Sequence, residues 1–219
     1  MDYNLGGKVS AWSINNKLLP QTTLAVDKIW LPVAHRQDLT TPMNIKDVKI
    51  NNQQLILVLE KIIPAMKLKV EKTYTIHQDK IGFSIDYNFT NLNNKDLSLT
   101  FWGGNIFEKN AAKVKFDATI NNKLTNLTTI SGDLFYAVGK KSASCIKPSL
   151  LKGVFNTSET FATLNNICIS LKSENFLIGN YYYFFTPTIR TWEWMSKNIT
   201  IAPLQSVKKS IEYSAKTIK

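Results

Sequence analysis

The chain has 219 residues, of which 44% are apolar, so it is long enough to bury one sizeable core. No run of about 18 or more apolar residues occurs, which excludes a membrane-spanning helix. The net charge of +11 comes almost wholly from lysine, because Arg36 and Arg190 are the only arginines. Arginine reads guanine edges and clamps phosphates, so specific nucleic-acid binding is not expected.

The sequence gives little sign of a leader, a metal or a cofactor. The first residues lack the basic and apolar regions of a signal peptide, so a cytoplasmic location is the default expectation. Motifs for a metal site or a phosphate loop are absent, and we expect neither a metal nor a cofactor. Cys145 and Cys168 are predicted to be buried free thiols, with a disulfide between neighbouring strands as the alternative. The chain could be part of a longer parent polypeptide.

In chain order, the first predicted strand covers residues 8–14, and an Asn-rich turn follows it. Residues 19–48 are rich in Thr, Pro and Asp and are predicted to form a long surface loop. Residues 55–59 are an uninterrupted apolar run of strand length, which is typical of a strand buried on both faces.

The strongest local pattern spans residues 67–90. Apolar and polar side chains alternate over residues 67–77, and Lys72 is the only polar residue on the apolar side. Residues 78–80 predict a turn, after which the alternation runs without a break over residues 81–90. Two such segments joined by a short polar turn predict a β-hairpin.

Further strand-like segments follow at short intervals and are separated by turns. They cover residues 97–101, 114–118, 134–138, 167–171, 181–185 and 199–201. The tail from residue 207 fits a strand or a helix face, and a final strand is favoured because it would close a sheet. This pattern predicts an all-β fold, an antiparallel two-sheet sandwich with at most short helical segments, formed as a single domain over residues 1–219.

The order of these segments resembles that of the galactose mutarotase-like supersandwich. The resemblance rests on residues 70–76 (Val-Glu-Lys-Thr-Tyr-Thr-Ile), on the alternating strand at residues 81–91, and on residues 101–105 (Phe-Trp-Gly-Gly-Asn). The resemblance covers residues 5–107, whereas the rest of the chain matches only in its number of predicted strands. The C-terminal β-sandwich of family 57 amylases and glucanotransferases is similar, as is the periplasmic domain of the bacterial membrane-protein insertase. The resemblance implies a supersandwich fold and a carbohydrate-related function.

Mutarotases use a His and a carboxylate as acid and base, so the resemblance implies such a pair. His35 lies in the predicted loop and is the candidate acid, with Glu193 or Glu108 as the candidate base. His77 ends a hairpin strand and is predicted to be a solvated turn residue. The family's usual Asn-x-(Ser/Thr)-x-x-x-His run is absent, so an aldose 1-epimerase is an alternative and not the leading hypothesis.

Aromatic residues concentrate near the end of the chain, where Trp192 and Trp194 flank Glu193. Sugars stack their C–H faces on such rings while charged groups hold their hydroxyls, although aromatic strands also fill sandwich cores. Carbohydrate binding is the leading hypothesis, with a module that contacts a protein or membrane surface as a further alternative. The candidate binding residues are Arg36, Trp102, Asn105, Arg190, Trp192 and Trp194.

Overall fold

The computed structural model describes most of the chain. The described residues are 1–10, 12–14, 17–18, 22–30, 36–39, 41–107, 114–120, 123–126, 136–137, 140–141, 159–164, 166–173, 179–186, 189–196 and 198–218. In several strands, including those between residues 179 and 195, the description is limited to the backbone.

These residues form strands and two short 3-10 turns, Tyr3–Leu5 and Pro64–Met66. The strands are β1 (Ser13–Ile14), β2 (Lys17–Leu18), β3 (Thr22–Trp30), β4 (Arg36–Asp38), β5 (Asn44–Ile50), β6 (Gln54–Ile63), β7 (Leu68–His77), β8 (Gly82–Asn91), β9 (Leu97–Phe107), β10 (Lys115–Ile120), β11 (Lys123–Asn126), β12 (Tyr136–Ala137), β13 (Lys140–Lys141), β14 (Glu159–Leu164), β15 (Ile167–Lys172), β16 (Gly179–Thr186), β17 (Ile189–Met195), β18 (Ile199–Ile201) and β19 (Ser206–Thr217). No helix in the described part is long and apolar enough to cross a membrane.

Two antiparallel sheets make up the sandwich. The large sheet has nine strands in the order β11-β10-β14-β15-β19-β8-β7-β6-β5. The small sheet has the order β16-β17-β9-β3-β4, and β18 also pairs with β9. The all-β two-sheet prediction is therefore confirmed.

The predicted hairpin is the centre of the large sheet. β7 and β8 pair in register from Leu68 opposite Asn91 to Thr75 opposite Ser84. Alternate side chains of both strands are buried, as a period of two requires when one face packs against a second sheet. The prediction of a final strand is also confirmed, because β19 pairs with β8 on one side and β15 on the other.

Aromatic side chains fill much of the space between the sheets. Tyr87 and Phe89 of β8 contact Phe101 of β9, with ring centroids 4.6 and 5.3 Å apart. Phe83 stacks on Tyr213 within the large sheet at 4.8 Å. Full burial of one such ring stabilises the fold by about 1.5–3 kcal/mol relative to leaving it in water.

The prediction of a long loop over residues 19–48 is wrong for the described residues of this interval. β3 and β4 lie in this interval, β5 begins in it, and β3 pairs with β9. The prediction failed because Asp27 and Lys28 interrupt the apolar pattern of β3. Asp27 is nevertheless buried between the sheets, at 1% exposure.

Gly82 marks a close approach between β8 and β19. A Cβ atom at this position would lie 2.3 Å from the backbone oxygen of Tyr213, so the neighbouring strand would have to move. We expect Gly82→Ala to lower the free energy of unfolding by about 1–3 kcal/mol in urea denaturation. Ser84→Ala, on the same strand, is the control and should change it by less than about 0.5 kcal/mol. Equal stability of both variants would contradict this packing.

Candidate functional site

A group of polar residues lies between the two sheets, surrounded by apolar side chains. Lys72 of β7 forms a salt bridge with Asp27 of β3, and both side chains have 0% exposure. Tyr87 of β8 donates from its hydroxyl to Asp27 Oδ2 at 3.1 Å. Lys72 Nζ also donates to the backbone carbonyl of Gly6 at 2.6 Å. These four residues are called the interior cluster below.

The local sequence explains how the interior cluster forms. Lys72 occupies a buried alternate position of β7, between Val70 and Tyr74. Gly6 and Gly7 have φ angles of 73° and 75°, a left-handed conformation that favours glycine. This turn brings the Gly6 carbonyl to Lys72, and the Gly7 carbonyl accepts a hydrogen bond from the Tyr74 hydroxyl. The N-terminal segment is thereby attached to the large sheet.

Burial dominates the electrostatics of the interior cluster. Desolvation raises the pKa of Asp27, and the neighbouring Lys72 and Tyr87 offset this only in part. Desolvation also raises the pKa of Tyr87 well above its ordinary value, so its hydroxyl remains a donor. Asp27 Oδ1 is buried and has no hydrogen-bond partner among the described residues. Neither described cleft is lined by these residues, so the interior cluster joins the sheets and is not an open ligand site.

An open cleft of about 460 Å³ lies where the turn between β7 and β8 meets β19. It is called the hairpin cleft below and is lined by His77, Lys80, Ile81, Gly82, Phe83, Ser84, Glu212, Tyr213, Ser214 and Ala215. Thr75, Ser84 and Glu212 are register partners across β7, β8 and β19. Because adjacent strands are about 4.8 Å apart, the backbones at Thr75 and Glu212 are separated by about 10 Å.

Hydroxyl groups continue from the hairpin cleft across the solvent side of the large sheet. Ser214 shares a hydrogen bond of 2.6 Å with Ser170 on β15. Two same-face rows further along β19, Ser210 donates to Asp86 Oδ1 at 2.5 Å. The carboxylate of Glu212 lies between these two serines in sequence, and Glu212 is exposed. The cleft therefore offers a carboxylate, an imidazole, an ammonium group and hydroxyls in one place.

Trp102 and Asn105 are not brought together. They are three positions apart on β9 and so occupy opposite faces of the small sheet. Asn105 is fully buried and accepts a hydrogen bond of 2.9 Å from the Tyr213 hydroxyl across the sandwich. Trp102 is also buried, at 8% exposure. Asn105 thus has a partner within the interior, like the residues of the interior cluster.

The predicted aromatic segment forms β17, next to β9. Trp192 is the register partner of Asn105, and Glu193 that of Gly104. Arg190 and Trp194 belong to the same strand. The side chains of these four residues of β17 lie outside the described part of the chain, so their role in binding stays a prediction.

The loop candidates are equally untested. Arg36 begins β4 and is the register partner of Trp30, but only its backbone is described. His35 and Glu108 lie outside the described residues. Within the described ranges, no three His, Cys, Asp or Glu side chains come together as a metal site. Cys168 is buried and free, whereas Cys145 lies outside the described residues.

Sequence reasoning missed the interior cluster and Glu212. For Lys72 the signal was present, since it alone interrupts the apolar side of the hairpin. Asp27 gave no usable signal because the strand that holds it was not predicted. Glu212 was obscured because the tail fits a helix face as well as the favoured strand. His77 was predicted to be a solvated turn residue and is half-buried in the wall of the hairpin cleft.

Removing one partner of a buried ion pair is costly. We expect Lys72→Met to lower the free energy of unfolding by about 3–5 kcal/mol, because Asp27 stays buried without its cation. Desolvation raises the folded pKa of Asp27 above its ordinary 3.8, so the folded state binds this proton more tightly. The stability that this tighter proton binding contributes is complete below the pKa of Asp27 in the unfolded chain. It is lost as the pH rises through the pKa of Asp27 in the folded chain. The variant should therefore gain stability as the pH falls from about 7 towards 4.

The double variant Lys72→Met/Asp27→Asn is the matched control, because it lacks the titrating carboxyl. In urea denaturation at several pH values, the stability difference between the single and double variants should shrink as the pH falls. A difference that does not change with pH would contradict the burial of a titrating Asp27 carboxyl.

Comparisons with known proteins identify the fold and no closer relationship. No family model matches the chain, and no curated protein matches it. Among solved structures, the Slr1438 protein of Synechocystis sp. PCC 6803 is similar at a TM-score of 0.63 and 9% identity, over 98% of this chain and 90% of that one.

Two further similar structures are related by name to sugar enzymes. A candidate aldose 1-epimerase of Escherichia coli K12 matches at a TM-score of 0.60 and 8% identity, over 98% of this chain and 94% of that one. A galactose mutarotase-like protein of Clostridium acetobutylicum matches at a TM-score of 0.56 and 9% identity, over 96% of this chain and 77% of that one. The likeness to family 57 amylases stays a prediction. The chain has the galactose mutarotase-like β-sandwich fold.

Proposed function

We propose that the protein binds a carbohydrate in the hairpin cleft. The observation that carries this proposal is the composition of that cleft, which contains His77, Lys80, Ser84, Glu212 and Ser214. The fold supports a carbohydrate-related role, since structures of the same fold include a galactose mutarotase-like protein and a candidate aldose 1-epimerase. Fold alone does not fix a function, so the argument rests on the site.

The chemistry of the hairpin cleft suits a sugar. A carboxylate such as Glu212 accepts hydrogen bonds from sugar hydroxyls, and Lys80 donates to sugar oxygens. Ser84 and Ser214 can both donate and accept. Ile81 lines the same cleft with 45% of its surface exposed, which offers an apolar contact for a C–H face of the ring. A mixed lining of this kind favours a neutral polyhydroxyl ligand over a purely apolar one.

The aromatic strand β17 remains a second candidate surface for the same function. Trp192 and Trp194 provide the stacking groups that sugar sites commonly use, with Arg190 as a charged partner. The test below therefore includes a variant of this strand, so that the two surfaces are distinguished.

A second candidate function is aldose 1-epimerase activity, favoured by the presence of His77 and Glu212 in one cleft. In such a reaction, a base removes the proton from the anomeric hydroxyl while an acid protonates the ring oxygen, and the C1–O5 bond breaks. His77 lies two strand spacings away from Glu212 and two residues along β7 from its register row, so their backbones are about 12 Å apart, which leaves room for one sugar ring between the two side chains. This pair differs from the His35 and Glu193 or Glu108 pair that sequence reasoning suggested.

Glycan-array binding followed by titration calorimetry of the best ligand tests the binding proposal. We expect Glu212→Gln to weaken binding at least about tenfold, because one charge-assisted hydrogen bond is lost. Glu159→Gln is the matched control, since Glu159 lies in the same register row outside the cleft lining, two strands away. Absence of glycan binding by the parent chain would refute the proposal. Loss of glycan binding in Trp192→Ala, with unchanged binding in Glu212→Gln, would refute the hairpin cleft as the site.

The enzymatic alternative has its own assay. Polarimetry with glucose, galactose and maltose should show mutarotation faster than in buffer, and His77→Gln should lower the rate at least about 100-fold. Glycan binding without any acceleration of mutarotation would exclude the enzyme and leave the binding proposal intact.

A further inference from the structure

The interior cluster contains a reactive pair that no external ligand can reach. Lys72 and Asp27 are both completely buried, and neither lines a described cleft. A lysine amine is a nucleophile, and the carbonyl carbon of a carboxyl group is an electrophile. Since the two side chains are in direct contact, the partner available to each in the described interior is the other.

The ionic form of this pair is unfavourable in two ways. Two charges are withdrawn from water, and the attraction between them offsets this cost only with good geometry and complete hydrogen bonding. Within the described part of the chain the hydrogen bonding is incomplete, because Asp27 Oδ1 is buried there without a partner. A buried acceptor that is left unpaired costs free energy that folding must supply from elsewhere.

We propose that Lys72 and Asp27 condense into an amide cross-link between β7 and β3, with release of one water molecule. The Lys72 ammonium group first transfers a proton to Asp27 Oδ2, the carboxyl oxygen that it contacts, which gives an amine and a carboxylic acid. Lys72 Nζ then attacks Asp27 Cγ, and a new N–C bond forms. A second proton passes from the nitrogen to Oδ1, the Cγ–Oδ1 bond breaks, the Oδ2 proton joins the departing Oδ1 as water, and Oδ2 becomes the amide oxygen. No oxidant or cofactor takes part.

The groups around the pair match the requirements of this step. Tyr87 donates to Asp27 Oδ2 at 3.1 Å, and this hydrogen bond would stabilise Oδ2 as it becomes the amide carbonyl oxygen. The apolar enclosure raises the pKa of Asp27 and so favours its protonated form. The Tyr87 ring also lies against the amine, with Lys72 Nζ 5.8 Å from the ring centroid.

In the amide product, the N–H and the oxygen of the amide group would both have hydrogen-bond partners. The amide N–H would donate to the Gly6 carbonyl, which already accepts from Lys72 Nζ at 2.6 Å. The amide oxygen would keep the hydrogen bond from Tyr87. The unpartnered oxygen is the one that departs as water, and both buried charges disappear. The cross-link would join the small sheet to the large one covalently, independent of redox conditions.

Intact-mass spectrometry of the full chain, purified and then denatured, tests the proposal. The expected mass is about 18 Da below that calculated from the sequence, the loss of one water. Tryptic digestion should give a branched peptide that contains both Asp27 and Lys72, with no cleavage after Lys72. The Lys72→Arg variant keeps the positive charge but cannot condense, so its mass should equal the calculated value.

Two outcomes would overturn the proposal. A parent chain that is folded by circular dichroism and has the full calculated mass shows that no condensation occurs. A loss of about 18 Da that maps to a succinimide at an aspartate, without a branched peptide, identifies a different reaction. Because the measurement is made on the parent chain, it does not depend on the folding of a variant.

Discussion

The contact between Lys72 and Asp27 is the interaction on which the rest of the structure depends. Asp27 of the small sheet and Lys72 of the large sheet meet in an apolar interior, and neither side chain could be buried there without the other. Hydrophobic packing is tolerant of small displacements between sheets, whereas a buried polar contact with directed hydrogen bonds, ionic or cross-linked, is not. The pair therefore fixes the position of β3 against β7, and Tyr87 adds β8 to the same contact.

The N-terminal segment follows from the same constraint. Lys72 needs an acceptor besides the carboxylate, and the consecutive left-handed residues Gly6 and Gly7 supply backbone carbonyls that a chain of other residues would not present so readily. A methyl group on Gly7 would meet Leu59 and the Tyr74 hydroxyl at 2.6 and 3.1 Å. The polar contents of the core thus explain why a Gly-Gly turn is buried at the start of the chain.

The sequence predicts the parts of the fold that local periodicity controls. The hairpin over residues 67–90 was predicted correctly because its strands alternate between a buried and an exposed face. β3 was missed because its interior face includes Asp27, whose burial depends on a lysine some distance along the chain. A local sequence pattern cannot show that two charged residues far apart in the chain will pair in the core. For this reason the sequence did not predict the pairing of Lys72 with Asp27.

The candidate site was predicted less well for a related reason. His77 and Glu212 are far apart in sequence and meet in one cleft only because β19 returns to pair with β8. Sequence reasoning favoured instead the residues with the most conspicuous chemistry, such as Trp102 and Asn105. Those two occupy opposite faces of β9, and Asn105 is used to connect the sheets through Tyr213.

Native-state hydrogen exchange of the amides of β3 and β7 tests most directly whether the interior cluster holds the two sheets together. If it does, these amides should exchange only through global unfolding and should share one opening free energy. Exchange of the β3 amides at a much lower free energy, while the β7 amides remain protected, would show that the small sheet separates on its own. That result would contradict the central role assigned to Lys72 and Asp27.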